Sequence, residues 1–307
     1  MAVALESTRC PICHSSSYKV LKPANYAGLK PEELPEVFKS SSDSLLMDQV
    51  AECDQCHLVY LNPRMKADVI VKSYKDAVDP TFLSQNEFRI KTFKSALQNV
   101  LNHLRITNPA GKQILDIGSA GGAFLKAAKD LGFAPVGVEP SAWLSEQGRK
   151  LYGVDLRPGT LEEQSFPEKS FDIITLWDVI EHLTDPERTM KDIHRILKDD
   201  GVLIVNYPDY GSIMCRLFGW KWPFFLNVHL YYFTRQTMAR FLVSQGYEVR
   251  HMSSFWQTLS VSYVFQRAAF YLPFLKFMPG LLRRLGLGNL PMSYNMGQTL
   301  VIAHKRR

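Results

Sequence analysis

The 307-residue chain contains no run of about 18 apolar residues free of charge, so its sequence holds no candidate membrane-spanning helix. No block of five or more like charges occurs either, and a net charge of +6 spread in this way marks no nucleic-acid tail. Repeats and low-complexity segments are absent. Met1 to Arg9 lacks the charged-then-apolar pattern of an export signal, which predicts a cytoplasmic protein. Length and composition suit one large folded domain plus a small one.

Cysteine is scarce as well, and four of the five fall in two pairs, Cys10-Pro11-Ile12-Cys13 and Cys53-Asp54-Gln55-Cys56. Thiolates two residues apart on a tight turn hold one side of a metal, and two such turns complete the tetrahedral set that Zn²⁺ prefers. Each pair is followed by a histidine, His14 and His57, giving the C-x-x-C-H form that also attaches c-type haem. Haem attachment requires export, so the pattern predicts one structural Zn²⁺ on Cys10, Cys13, Cys53 and Cys56, with free or redox thiols as the alternative. The long gap between the pairs demands an inserted loop around Lys22 to Ser44. Cys215 stands alone and reads as packing.

The richest stretch runs from Ile114 to Gly122, an apolar run that breaks into a glycine-rich turn and then an amphipathic helix over Ala123 to Leu131. Gly118, Gly121 and Gly122 let the backbone turn sharply and approach a ligand that a Cβ would push away. The helix start presents unpaired N–H groups and a positive dipole end. A strand over Ala134 to Glu139 then delivers a carboxylate where it can accept hydrogen bonds from a ribose diol. Turn, helix, strand and acid in this order predict a nucleotide-type cofactor site. Upstream, Phe88, Phe93, Leu97, Val100, Leu101 and Leu104 recur at helical spacing, and Asn108-Pro109-Ala110-Gly111 ends that helix. Alternating strands and helices from there on predict a parallel sheet wound on both sides.

Asp116-Ile117-Gly118-Ser119-Ala120-Gly121-Gly122 resembles motif I of the class I S-adenosylmethionine (SAM)-dependent methyltransferases, in which an Asp precedes the first glycine. Ser170 to Leu183 with Asp185-Pro186 resembles the fourth strand and its loop in that family. Arg195 to Val205 resembles the following helix end, turn and fifth strand, with Asp199-Asp200-Gly201 where the family commonly has Pro-Gly-Gly. Leu58 to Arg64 resembles the zinc-bearing N-terminal segment of some bacterial sugar and glycan methyltransferases. The resemblance covers about residues 107 to 254. It implies an α/β fold with a doubly wound, mostly parallel seven-stranded sheet, Rossmann-like, and a small N-terminal zinc-ribbon-like module. The implied organisation is 1–65 for that module, 66–106 for a helical linker or cap, and 107–307 for the methyltransferase domain. Asp116, Gly118, Ser119, Ala120, Gly121, Gly122, Glu139 and Asp178 would bind SAM.

Asp178, Glu181 and His182 follow a strand and so fall at the carboxyl edge of the sheet, where open α/β folds bind ligands. Asp178 would contact the methionine end of SAM, with Glu181 and His182 shaping the loop or acting in catalysis. Alternatively the three form a divalent-metal site, since some methyltransferases with a similar acid-x-x-Glu-His pattern bind Mg²⁺ there; imidazole is a less usual Mg²⁺ ligand. Pro208 to Phe233 reads as a long aromatic loop at the same edge, a candidate substrate wall. Within it, His229 is a candidate general base, an imidazole near its free pKa that takes a hydroxyl proton, or else a residue that orients the loop.

Thr234 to Gln245 and Tyr247 to His251 read as the next helix and strand, and Gln298 to His304 as the last strand. Between them, residues 255–290 form an insertion with Phe265, Phe270, Tyr271, Leu272, Phe274, Leu275, Phe277, Met278, Leu281 and Leu282, bordered by Arg267, Lys276, Arg283 and Arg284 and broken by Pro273 and Pro279. Such a face suits a helical pair lying on the inner face of the membrane or covering a lipid-linked substrate, or else a lid or homodimer surface. The expected activity is methyl transfer from SAM to a sugar, glycan precursor or lipid-linked acceptor, mostly on oxygen; a quinone-like acceptor is the rival if the metal is real. A zinc-ribbon nucleic-acid binder is disfavoured because the ribbon lacks clustered aromatic and basic residues. An NAD-dependent sugar oxidoreductase is disfavoured by motif I and by the lack of an evident catalytic Tyr-x-x-x-Lys.

Overall fold

The computed structural model describes residues 5–26, 28–30, 33–34, 38, 46–271 and 273–306. Residues 1–4, parts of the 22–44 loop and Leu272 lie outside the described residues, as do the side chains of Phe270, Tyr271 and Pro273. The cysteine turns sit among five short strands: β1 (Leu5–Glu6), β2 (Tyr18–Lys22), β3 (Val50–Cys53), β4 (Val59–Leu61) and β5 (Arg64–Met65). β2, β3 and β4 pair antiparallel, and β1 pairs with β5. Three helices follow, α1 (Ala67–Lys75), α2 (Pro80–Leu83) and α3 (Asn86–Leu104). α3 buries Leu97, Val100 and Leu101 from the predicted stripe. It ends at Leu104, short of Asn108, because Arg105 turns left-handed (φ 56°) and closes the helix with its own backbone N–H.

From Gln113 the chain alternates through β6 (Gln113–Ile117), α4 (Ala123–Asp130), β7 (Ala134–Glu139), α5 (Ala142–Tyr152), β8 (Asp155–Pro158), β9 (Phe171–Trp177), α6 (Pro186–Ile196) and β10 (Leu197–Pro208). It continues with α7 (Ile213–Phe218), β11 (Tyr231–Tyr232), α8 (Arg235–Ser244), β12 (Tyr247–Ser260), α9 (Val261–Tyr271), α10 (Met278–Arg284) and β13 (Pro291–Lys305). Seven strands form one sheet in the order β12-β13-β10-β9-β6-β7-β8. Only β13 runs against its neighbours, so the sheet is the mostly parallel, doubly wound one the sequence predicts.

Alternate residues of the central strands feed two cores, because successive strand side chains point to opposite faces. Ile173, Trp177, Val202 and Ile204 pack with Leu97 and Val100 of α3 and Phe124 of α4. Ile174, Leu176, Leu203 and Val205 share the other core with Met190 and Ile193 of α6, Phe241 of α8, and Leu58, Tyr60 and Leu61 from the N-terminal strands. The cysteine-bearing strands are therefore welded to the main sheet by a common apolar core, at about 1.5–3 kcal/mol for each large side chain buried.

Four sequence readings need correction. Pro208 to Phe233 is not all loop: Ser212 caps α7 through the Cys215 N–H, and β11 pairs with β4, Tyr231 opposite Tyr60. The Asp199-Asp200-Gly201 segment is an irregularity within β10, whose register against β9 shifts between Leu197 and Val202. The last hairpin is longer than expected: β12 continues past His251 to Ser260 and β13 begins at Pro291, so the helical insertion narrows to 261–290. Pro279 does not break a helix there but sits in the first turn of α10, where its missing N–H is harmless. Among the described residues no helix is long and apolar enough to cross a membrane.

Candidate active site

At the carboxyl edge of β6 the chain turns through Gly118 (φ +72°) and Gly122 (φ +75°) into α4. A Cβ on Gly118 would meet Val179 Cγ2 at 2.6 Å, and one on Gly121 would meet Leu83 Cδ2 at 2.1 Å. Neighbouring side chains thus crowd these glycines, in addition to any ligand: Val179 after β9 and Leu83 of α2 close over the turn. Asn86 of α3 adds an Nδ2 hydrogen bond to the Gly121 carbonyl at 3.3 Å, while its buried Oδ1 has no partner. Ser119 Oγ donates to the Asp116 carbonyl at 2.8 Å.

Glu139 closes the other side. Its two oxygens accept the Ala120 and Ser141 N–H groups at 2.8 and 2.9 Å, which pins the carboxylate against the glycine turn and leaves lone pairs for further donors. Burial pushes its pKa up to about 7, against the pull of those two amides. Asp116 is equally buried, accepts the Thr175 hydroxyl at 2.6 Å, and is also raised to about 7 by desolvation. Thr175 holds Asp116 within the sheet.

Asp178 sits just beyond β9 with φ +54°, a left-handed conformation costly for a residue with a side chain and typical of over-determined sites. Three carboxamides surround it. Asn206 Nδ2 and Gln298 Nε2 donate to Oδ1 at 2.8 and 2.6 Å, and Gln257 Nε2 donates to Oδ2 at 3.4 Å. Burial lifts its pKa to about 7, countered by Gln298 and Arg89.

One turn further, Glu181, His182 and His229 come together, with one ligand atom from each lying within 4.8 Å of the others. Glu181 is fully buried and neither carboxylate oxygen has a hydrogen-bond partner, so desolvation, then repulsion from Asp178, drives its pKa well above the usual range. His182 places Nδ1 2.9 Å from the Val228 carbonyl and 2.7 Å from the Tyr74 hydroxyl. A carbonyl only accepts, so Nδ1 carries the proton and Nε2 turns its lone pair toward Glu181, 4.0 Å away. Burial lowers the His182 pKa to about 4. His229 meets the His182 ring edge-on at 4.5 Å and stacks on Phe224. Burial, then His182, pushes its pKa well below the free value. The expectation of an imidazole near its free pKa is thus not met, because the ring is enclosed. Nor does the metal set Asp178, Glu181 and His182 assemble: carboxamides hold Asp178, and His229 takes the third place.

The four cysteine sulfurs also converge. Cys10 and Cys56 lie 3.3 Å apart and Cys13 and Cys53 3.4 Å apart, all within 4.8 Å of one another and none in a disulfide. Tetrahedral Zn–S bonds of about 2.3 Å place sulfurs about 3.8 Å apart, between these shortest pairs and the outer limit of the set, so the four thiols fit zinc. His14 and His57 turn outward in left-handed conformation (φ 58° and 63°), toward Glu187 and Glu52, and are not ligands of this group. Cys215 is buried in the apolar core, as its isolation suggests.

A profile describing a methyltransferase domain matches residues 87–252, more than half of the chain. The chain belongs to this methyltransferase family. It is 33% identical over 103 residues to a ubiquinone biosynthesis O-methyltransferase of Bradyrhizobium sp. (strain ORS 278), a match covering 32% of this chain and 40% of that protein. A protein of the same description from Pseudomonas syringae pv. tomato is 32% identical over 118 residues, covering 33% and 49%. The matched region spans less than half the length of these relatives. A chain in the Haloferax volcanii complex between the Trm112 methyltransferase activator and a methyltransferase shares the fold, with a TM-score of 0.53 and 15% identity over 76% of this chain and 98% of that one.

Several side chains of this methyltransferase edge escaped the sequence reading. Tyr74 and Asn86 come from the helical segment before β6, Asn206 from the end of β10, and Gln257 and Gln298 from the last hairpin. None lies in a motif. The nearest signal was the pair of carboxamides, Asn295 and Gln298, just before the apolar run of β13.

Proposed function

We propose that this methyltransferase transfers a methyl group from SAM to a hydroxyl of a sugar, glycan precursor or lipid-linked acceptor, and carries a structural Zn²⁺ on Cys10, Cys13, Cys53 and Cys56. Bound SAM supplies an electrophilic methyl on a sulfonium; the protein orients and desolvates the nucleophile. Gly118 to Gly122, Asp116 and Asp178 would line the cofactor, with Glu139 accepting from the ribose hydroxyls. Residues 66–106 act as a cap over the 107–307 domain, and 1–65 as the zinc module.

The observation that supports oxygen as the target is the partnerless carboxylate of Glu181 beside two imidazoles. The acceptor O–CH₃ bond forms as the S–CH₃ bond breaks, and the hydroxyl proton must pass to a base. Burial weakens His229 and His182 as bases and raises the proton affinity of Glu181, so the ionised form of Glu181 would be the terminal proton acceptor, with His229 and His182 orienting or relaying. The test is incubation of the purified chain with SAM and separate nucleotide-sugar and lipid-linked saccharide fractions. A one-CH₂ mass gain on a saccharide oxygen, lost in Glu181→Gln, is expected. Calorimetric binding of NAD but not SAM would overturn the reading.

The partnerless Glu181 also favours a second reading, a divalent metal on Glu181, His182 and His229 serving a quinone-like acceptor. Two nitrogens and one oxygen suit Zn²⁺ or a similar transition ion better than Mg²⁺. Metal analysis separates the two: one zinc per chain supports the first, and a second metal lost in His229→Ala supports the other.

A further inference from the structure

The last hairpin projects an arm, formed by the outer ends of β12 and β13 with α9 and α10 between them. Large apolar side chains along it are uncovered: Trp256, Phe274 and Phe277 are 62%, 68% and 63% exposed, and Leu281, Leu285 and Leu290 are exposed too. Single exposed leucines are ordinary, but this many on one arm mark an interaction surface. Its charge is one-sided. From Val249 to the end of the sequence there is no Asp or Glu, and from Tyr210 onward only Glu248 stands against twelve Lys and Arg. Lys276, Arg283 and Arg284 are exposed among the apolar residues of the arm, which has no acid of its own to pair with them.

We propose that this arm docks on an anionic membrane surface, its aromatic and leucine side chains entering the headgroup boundary while Lys276, Arg283 and Arg284 meet lipid phosphates. A second copy of the chain is a poorer occupant: a two-fold interface presses a patch against itself, setting these three cations against the same three. The bilayer supplies the negative charge that the arm lacks. Among the described residues no helix of the arm is long and apolar enough to cross a membrane, and the proposed contact is peripheral.

The root of the arm reaches the candidate active site. Tyr294 donates its hydroxyl to Gln257 Oε1 at 3.2 Å, Gln257 donates onward to Asp178, and Ser260 Oγ donates to Gln85 beside α3 at 3.1 Å. A docked arm therefore holds the edge with Asp178 and Glu181 near the bilayer surface. The docking does not rest on the acceptor proposed above, because vesicle binding needs neither cofactor nor acceptor.

The experiment is sedimentation of the full chain with phosphatidylcholine vesicles, with and without phosphatidylglycerol, at low salt and at about 0.5 M salt, where charge attraction is screened within a few ångströms. The protein should pellet with the anionic vesicles, several-fold less at high salt, and stay in solution with phosphatidylcholine alone. Two variants at exposed positions, Phe274→Ser/Phe277→Ser/Leu281→Ser and Lys276→Glu/Arg283→Glu/Arg284→Glu, should each abolish pelleting while keeping the parental melting temperature. Should a variant unfold, the salt and lipid dependence of the parent still decides. A parent that remains in the supernatant with every vesicle overturns the proposal, as does equal pelleting with neutral and anionic lipid. Light scattering that shows a dimer lost in the Phe274→Ser/Phe277→Ser/Leu281→Ser variant, without vesicle binding, assigns the face to a second copy.

Discussion

The Leu230 N–H donates to the Glu181 carbonyl at 2.8 Å, and the Leu230 carbonyl accepts the Leu61 N–H at 2.9 Å. Leu230 thus bridges the candidate base and β4 of the cysteine module, with His229 adjacent. Asn227 Oδ1 adds a second tie by accepting the N–H groups of Met47 and Asp48, and Arg64 adds a third through Tyr231 and the Thr184 carbonyl.

From that bridge, loss of metal from the cysteine group should loosen the 226–233 segment before the glycine turn. In Cys53→Ser, amide exchange at 226–233 should rise at least tenfold, while SAM affinity changes less than about threefold, under 1 kcal/mol. Hydrogen exchange with calorimetry checks this. Equal protection in both proteins would show that the module is not needed to place His229.

Glu139 links cofactor affinity to pH. Its carboxyl is raised to about 7 in the free protein, and ribose donors would favour the ionised form. Below pH 7 binding must expel a proton, so affinity should climb as pH rises from about 5 and level off above 7, by up to tenfold per unit. Glu139→Ala should weaken SAM by about 1–3 kcal/mol at pH 8, through loss of charge-assisted bonds and of the Ala120 and Ser141 anchors. Calorimetry at several pH values reads both, and a parent whose affinity does not change with pH, together with an unweakened Glu139→Ala variant, would remove Glu139 from the site.

His182 links stability to pH. Its folded pKa, about 4, lies below the ordinary 6.5, so the folded state binds fewer protons than the unfolded chain between these values. Its contribution is complete above about pH 6.5 and is lost as pH falls toward 4, to an extent of about 3 kcal/mol. His182→Asn should therefore flatten the acid limb of urea-derived stability. An unchanged limb would mean that His182 is solvated in solution.

Gly121 tests the cap. An alanine there puts Cβ against Leu83 Cδ2, and overpacking of this kind costs about 1–3 kcal/mol. Gly121→Ala should lower the melting temperature, and Leu83→Ala added to it should recover part of the loss. Additive losses in the double variant would mean that α2 does not close over the turn.

The glycine turn, the paired cysteines, the helix–strand alternation and the charge bias of the last third are legible along the chain, because each depends on spacing over some twenty residues or on composition. So the parallel sheet, the position of Glu139 and the convergence of Cys10, Cys13, Cys53 and Cys56 agree with what spacing predicts. The carboxamide cage of Asp178 draws on residues 206, 257 and 298, and His182 meets Tyr74 from a helix that precedes the sheet. These partners carry no local signal, since their meeting depends on where strand order and crossover paths bring distant backbone. Burial is decided there as well: one sequence leaves Glu181, His182 and His229 as ordinary titrating groups, and only enclosure by β11, Tyr74 and Phe224 makes the carboxylate the stronger base and the imidazoles the weaker ones.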